Sequence, residues 1–189
     1  FSHHDSLILQ HEAGSLMLEG SEPGGLSIYL SLVAKSQEAA VEFILKITNA
    51  DSISHSIAPG FVFDAAIGKW GDGVFVSGNN SILRDTVLTA GQINTPVQIW
   101  EKATGAKGIG GEISFLTGDP EKVVIANWLD IQNDILPEYN LSTLRDLYDL
   151  VIKMYWPSVQ LDANSDHEIR WKLSLIEPDF SSKAFMRWD

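Results

Sequence analysis

Cysteine is absent from all 189 residues. That removes disulfides, thiolate nucleophiles and cysteine metal sites together, and the fold must rest on packing and hydrogen bonds. Positive charge is scarce as well, with 13 Lys and Arg against 25 Asp and Glu and a net charge of -12. Polyanions are held by cationic side chains that neutralise their phosphates, so nucleic acid is not expected as a partner. The same balance weakens attraction to anionic lipid, but leaves open aromatic-led contact with zwitterionic or sterol-rich membrane. Long apolar runs are missing too. A membrane-spanning helix needs about 20 apolar residues, and Lys, Glu or Asn interrupts every candidate here. The opening FSHHDS has neither a basic nor an apolar leader region, so a signal peptide is expected to be absent or already removed.

What is present reads as strands. Hydrophobic residues make up 44% of the chain, enough for one domain over residues 1–189 with its own core. Segments such as LSIYLSLVAK, AAVEFILKITN, GFVFDAA, GVFVSG, PVQIW and KVVIANW are short, apolar and bounded by Gly, Pro, Asn or Asp, as strands are. Val41, Phe43, Leu45 and Ile47 alternate with Glu42, Ile44 and Lys46; Ile169, Trp171, Leu173 and Leu175 alternate with Arg170, Lys172 and Ser174. A period of two marks half-buried antiparallel strands. In SQEAAVEF the strand is expected from about Val41. The exception lies between residues 141 and 155, where Leu141, Leu144, Leu147, Tyr148, Val151 and Tyr155 recur at helical spacing. Thr143 and Asp146 resemble a capping box, and Pro157 would stop the helix. The expected fold is mainly β, an antiparallel β-sandwich with one amphipathic helix near the C-terminus.

The motifs for chemistry are thin. None of the five histidines forms an i,i+4 pair flanking a glutamate, and His3, His4, Asp5 and His11 read as a solvated terminus. GAKGIGGE, residues 105–112, lacks the ordered glycines and the lysine of a nucleotide loop. A strand follows it, so a tight turn or bulge at a sandwich edge is the better reading. Asp162, Asn164, Asp166 and Glu168 alternate as calcium ligands can, but a calcium-loop register would place His167 where glycine is needed and Leu173 where glutamate is needed. A turn rich in Asp and Asn is the simpler account. No nucleophile elbow or nucleophile–base spacing occurs, so no catalytic residue, metal or cofactor is expected and the chain is read as a non-enzyme.

Six tryptophans are more aromatic surface than one core easily hides, and Trp and Tyr suit interfaces that are apolar at one end and wet at the other. Trp128, Pro137, Tyr139, Tyr155 and Trp156 are therefore the candidate contact residues. Trp128 is expected to pack at a strand end, and the Pro137–Tyr139 turn to make the contact.

The order FILKITN (43–49), GKW (68–70), TPVQIW (95–100), GIGGEISF (108–115), NWLD and PEYN (127–140) resembles the actinoporin-like and aegerolysin-like cytolysins. The resemblance covers about half the chain. It implies a sandwich that recognises lipid head groups through aromatic loops and forms a pore, alone, as an oligomer or with a second protein component. The expected function is then membrane-lipid binding by a secreted or soluble protein acting at a membrane surface, as a cytolysin or toxin component. The alternative is a glycan- or protein-binding module in which the same aromatics stack on sugars or anchor a partner.

Overall fold

The computed structural model describes residues 6–12, 15–22, 25–64, 73–78, 80–93, 96–103, 106–128, 147 and 149–176. Fifteen strands occur among them: β1 (Ser6–Glu12), β2 (Ser15–Glu22), β3 (Leu26–Lys35), β4 (Ala40–Asn49), β5 (His55–Ile57), β6 (Gly60–Asp64), β7 (Gly73–Ser77), β8 (Asn80–Ile82), β9 (Thr86–Thr89), β10 (Val97–Ala103), β11 (Ala106–Phe115), β12 (Lys122–Asn127), β13 (Leu150–Tyr155), β14 (Val159–Leu161) and β15 (Asp166–Ile176). The chain is mainly β with antiparallel pairing, consistent with a β-sandwich. It divides into two compact units. One comprises residues 1–60, 113–121 and 155–174, the other residues 61–112, 122–154 and 175–189.

In the first unit β1, β2, β3, β4 and β15 lie side by side in that order, and β5 pairs with β14. A 3-10 turn at Ser36–Glu38 joins β3 to β4, and Ala39 takes the left-handed conformation at φ 47° before the strand starts at Ala40. The alternation in β4 and β15 sorts the faces as its period requires. Phe43, Leu45, Ile47, Ile169 and Trp171 are buried, with Trp171 directly opposite Phe43 and Ile169 opposite Leu45. The buried stripe ends near Leu173, which is half-buried, while Leu175 is exposed.

In the second unit β11, β10, β7 and β8 are neighbours, as are β6, β13, β12 and β9. Two expectations change here. The helix expected to end at Tyr155 is replaced, over Leu150–Tyr155, by strand β13. Five of its six residues, Lys153 among them, are buried; a strand covered on both faces loses the alternation of apolar and polar positions, and its apolar members can match helical spacing by coincidence. Leu147, also counted into that helix, is buried with its N–H donated to the Leu83 carbonyl at 3.0 Å. The Thr143–Asp146 capping box lies outside the described residues.

The glycine-rich segment is no edge turn. It belongs to β11, next to β10, and its glycines serve packing. A Cβ built on Gly110 would lie 2.6 Å from Cε3 of the Trp100 indole, so the missing side chain is what lets that ring lie against the neighbouring strand. Gly110→Ala is expected to cost about 1–3 kcal/mol through overpacking. Urea unfolding measures it, and an unchanged midpoint would show that Trp100 moves aside freely.

Candidate functional site

The opposite side of β3, β4 and β15 carries the polar half of the alternation. The registers set it out in cross-strand rows: Ser27, Thr48 and Asp166; then Tyr29, Lys46 and Glu168; then Ser31, Ile44 and Arg170. An open groove of about 400 Å³ lies over them, lined by Tyr29, Ser31, Ile44, Lys46, Thr48 and Glu168. Five of these are half-buried and Glu168 is exposed. Side chains two apart on a strand share a face, and residues opposite each other stand about 5 Å apart, so a groove-sized cluster forms from three strands without any loop.

Ion pairs hold this face in order. The Lys46 ammonium donates to Asp166, which raises the lysine above its ordinary range. Arg170 Nε donates to Glu168 Oε1 at 2.6 Å, and this bond raises the guanidinium in the same sense. The second arm of Arg170 lies 3.6 Å from Glu42, whose other oxygen accepts from Lys35 at 2.8 Å. At the margin Lys172 donates to Glu38 at 2.7 Å and lowers that carboxyl. Apart from those made by Glu42, which is buried, these pairs are exposed and add little stability, but together they fix which polar atoms meet at the groove. The row Tyr29–Lys46–Glu168 offers an aromatic ring, an ammonium donor and a carboxylate acceptor together.

The aromatic residues singled out from sequence do not converge there. Trp128 stands at the end of β12 in the second unit, 37% exposed, its backbone N–H donated to Asp149. Pro137 and Tyr139 lie outside the described residues. Tyr155, in the first unit, is half-buried, and its carbonyl accepts from Glu121. Trp156 is core: 3% exposed, edge-on to Phe115, tilted against Trp171, with its indole N–H donated to the Gly118 carbonyl at 3.2 Å. A ring so enclosed has no face left for a membrane.

Sequence reasoning missed Tyr29, Lys46 and Glu168. The alternation already placed Lys46 on the polar face of its strand, but the cross-strand register that brings all three together is not legible in one sequence. Of the Asp162–Glu168 stretch, residues 162–165 form a turn, with Asn164 at φ 54° and Ser165 bonded back to the Asp162 carbonyl through both N–H and hydroxyl, and Asp166 already opens β15. Asp166 and Glu168 turn to Lys46 and Arg170. Among the described residues no group of three His, Asp or Glu is arranged to hold a metal.

No protein-family model and no curated protein matches the chain. Solved structures do. A galactose mutarotase-like protein from Lactobacillus casei aligns at 12% identity and a TM-score of 0.55, covering 90% of this chain and 73% of that one. The α-galactosidase of Lactobacillus brevis aligns at 12% identity and 0.53, covering 93% of this chain and 26% of that one. A GH36 α-galactosidase from Geobacillus stearothermophilus, solved in complex with stachyose, aligns at 10% and 0.52, covering 92% and 25%. This chain therefore spans about a quarter of each galactosidase. These neighbours overturn the resemblance to actinoporin-like and aegerolysin-like cytolysins, and with it the toxin and pore-forming reading. The short patterns that carried it recur wherever strands meet turns, and GIGGEISF forms the body of β11 instead of a strand entry. At such identity the likeness speaks to architecture alone: the fold is similar to that of galactose mutarotase-like proteins.

Proposed function

We propose that this chain is a carbohydrate-binding domain whose site is the groove over Tyr29, Lys46 and Glu168. The observation that carries the reading is the cross-strand row itself, with its ring, ammonium and carboxylate. A pyranose presents an apolar C–H face and a rim of hydroxyls. An aromatic ring packs on the first, while charged donors and acceptors fix the second. Ser31 and Thr48 add hydroxyls on the same face. Two of the structural neighbours are α-galactosidases, one of them solved with an oligosaccharide, and this favours a glycan over a lipid as the partner. Binding without turnover is the reading adopted, since the described residues of the groove offer no nucleophile paired with a base.

Titration calorimetry with galactosides tests it. Tyr29→Ala and Glu168→Gln are each expected to weaken binding by about 1–2 kcal/mol, or roughly five- to thirtyfold. Undiminished affinity in a folded double variant would place the site elsewhere.

A further inference from the structure

We infer that Asp166 sets the charge selectivity of the groove, holding Lys46 so that neutral sugars are accepted and acidic ones refused. The inference rests on the carbohydrate reading of the groove. Four cations of this face are engaged: Lys35 with Glu42, Lys46 with Asp166, Arg170 with Glu168 and Glu42, Lys172 with Glu38. Of these four only Lys46 lines the groove. A sugar carboxylate entering there meets Glu168 across the same row and must displace Asp166 from the ammonium. Like-charge juxtaposition is how a site rejects a near-identical ligand. The chain's net charge of -12 adds a repulsive background to that local barrier. A hydroxyl carries no such penalty. It can accept from the ammonium and donate to the carboxylate at once, leaving both ion pairs in place.

The experiment compares a neutral methyl galactoside with its matched galacturonide on the wild type, Asp166→Asn and Glu38→Gln. The two substitutions change net charge equally, but Glu38 pairs with Lys172, which does not line the groove. The wild type is expected to bind the galactoside about tenfold or more tightly than the galacturonide. Asp166→Asn, by freeing Lys46, is expected to shift the ratio toward the galacturonide by about five- to tenfold, an effect that shrinks as salt screens the charge. Glu38→Gln should leave the ratio where it was. Asp166→Ser serves as a second variant, and circular dichroism confirms the fold of each. A wild type that takes the galacturonide as well as the galactoside, or a ratio unmoved by both Asp166 variants, overturns the inference and spares the carbohydrate reading. Failure of the wild type and every variant to bind either sugar overturns both.

Discussion

Trp171→Ala is expected to lower the unfolding free energy by about 3–5 kcal/mol, the range of a large aromatic removed from a packed core. Trp171 is 2% exposed. It stacks on Phe43 at 5.2 Å between ring centroids with the planes 9° apart, and meets Trp156 at 5.4 Å and 37°. Trp156 in turn stands edge-on to Phe115 at 6.4 Å. Removing the indole therefore strips contacts from two rings directly and loosens a third. Burying an indole takes about 150–250 Å² from water, or about 4–6 kcal/mol at 25 cal/mol per Å². That is an upper estimate, because the unfolded chain already hides part of its apolar surface. Trp171→Phe keeps a ring against Phe43 and is expected to lose less than half as much. Leu173→Ala, two residues along on the same side and half-buried, should cost about 1 kcal/mol. Urea unfolding gives all three values, and a Trp171→Ala protein within about 1 kcal/mol of wild type would mean the ring cluster is not a cohesive core. Since Trp171 faces away from Arg170 and Lys172, the folded fraction of the variant should keep the sugar affinity proposed for the groove. That separates it from the Tyr29 and Glu168 variants.

The same strands show how much of the molecule one sequence discloses. Period-two alternation is a local property, so the spacing of Phe43, Leu45, Ile47, Ile169 and Trp171 along the chain is enough to mark the buried faces of β4 and β15. The antiparallel, strand-rich class followed from many such segments. What alternation cannot supply is register, because sliding a strand by two residues keeps its faces but changes every partner. Tyr29, Lys46 and Glu168 come together in the candidate site only through two registers, one of which joins strands more than a hundred positions apart in the chain. At Trp156 aromatic content misled for a related reason: whether a tryptophan beside a proline is surface or core depends on what packs over it, and Trp156 is covered by Phe115 and Trp171. Leu150–Tyr155 misled through periodicity, since burial on both faces, Lys153 included, removes the alternation that distinguishes a strand from a helix.

Asn49→Ala is expected to cost about 3 kcal/mol although it removes only an amide. The side chain is 0% exposed. Nδ2 donates to the carbonyls of Ile53 at 2.8 Å and Asp162 at 2.9 Å, and reaches Leu161 at 3.2 Å; Oδ1 accepts the Asp51 N–H at 2.9 Å. The backbone N–H donates to Ser165. One residue thus ties the end of β4 to the loop that follows it, to the end of β14 and to the turn before β15. Alanine leaves backbone groups without partners at a cost of about 1–3 kcal/mol for each one that stays buried. Asn49→Asp is the sharper test. It sets a carboxylate against the carbonyls that Nδ2 served, so the loss at neutral pH should equal or exceed that of alanine. Desolvation and those carbonyls raise the introduced carboxyl's folded-state pKa above its unfolded value. The protonated acid can return one donor, so the destabilisation should be worst above the raised pKa and shrink as pH falls through it. Asp51 works in the opposite sense: its carboxyl is lowered first by the Ser52 N–H and then by His55, so its contribution holds above the ordinary aspartate range and fades as pH falls through its depressed folded value. A variant whose deficit relative to wild type stays constant from neutral pH into the acid range would show that water reaches Asn49. Thr48 and Lys46, which line the groove, sit one and three residues before it, so fraying this strand end should weaken the proposed sugar binding before the core gives way.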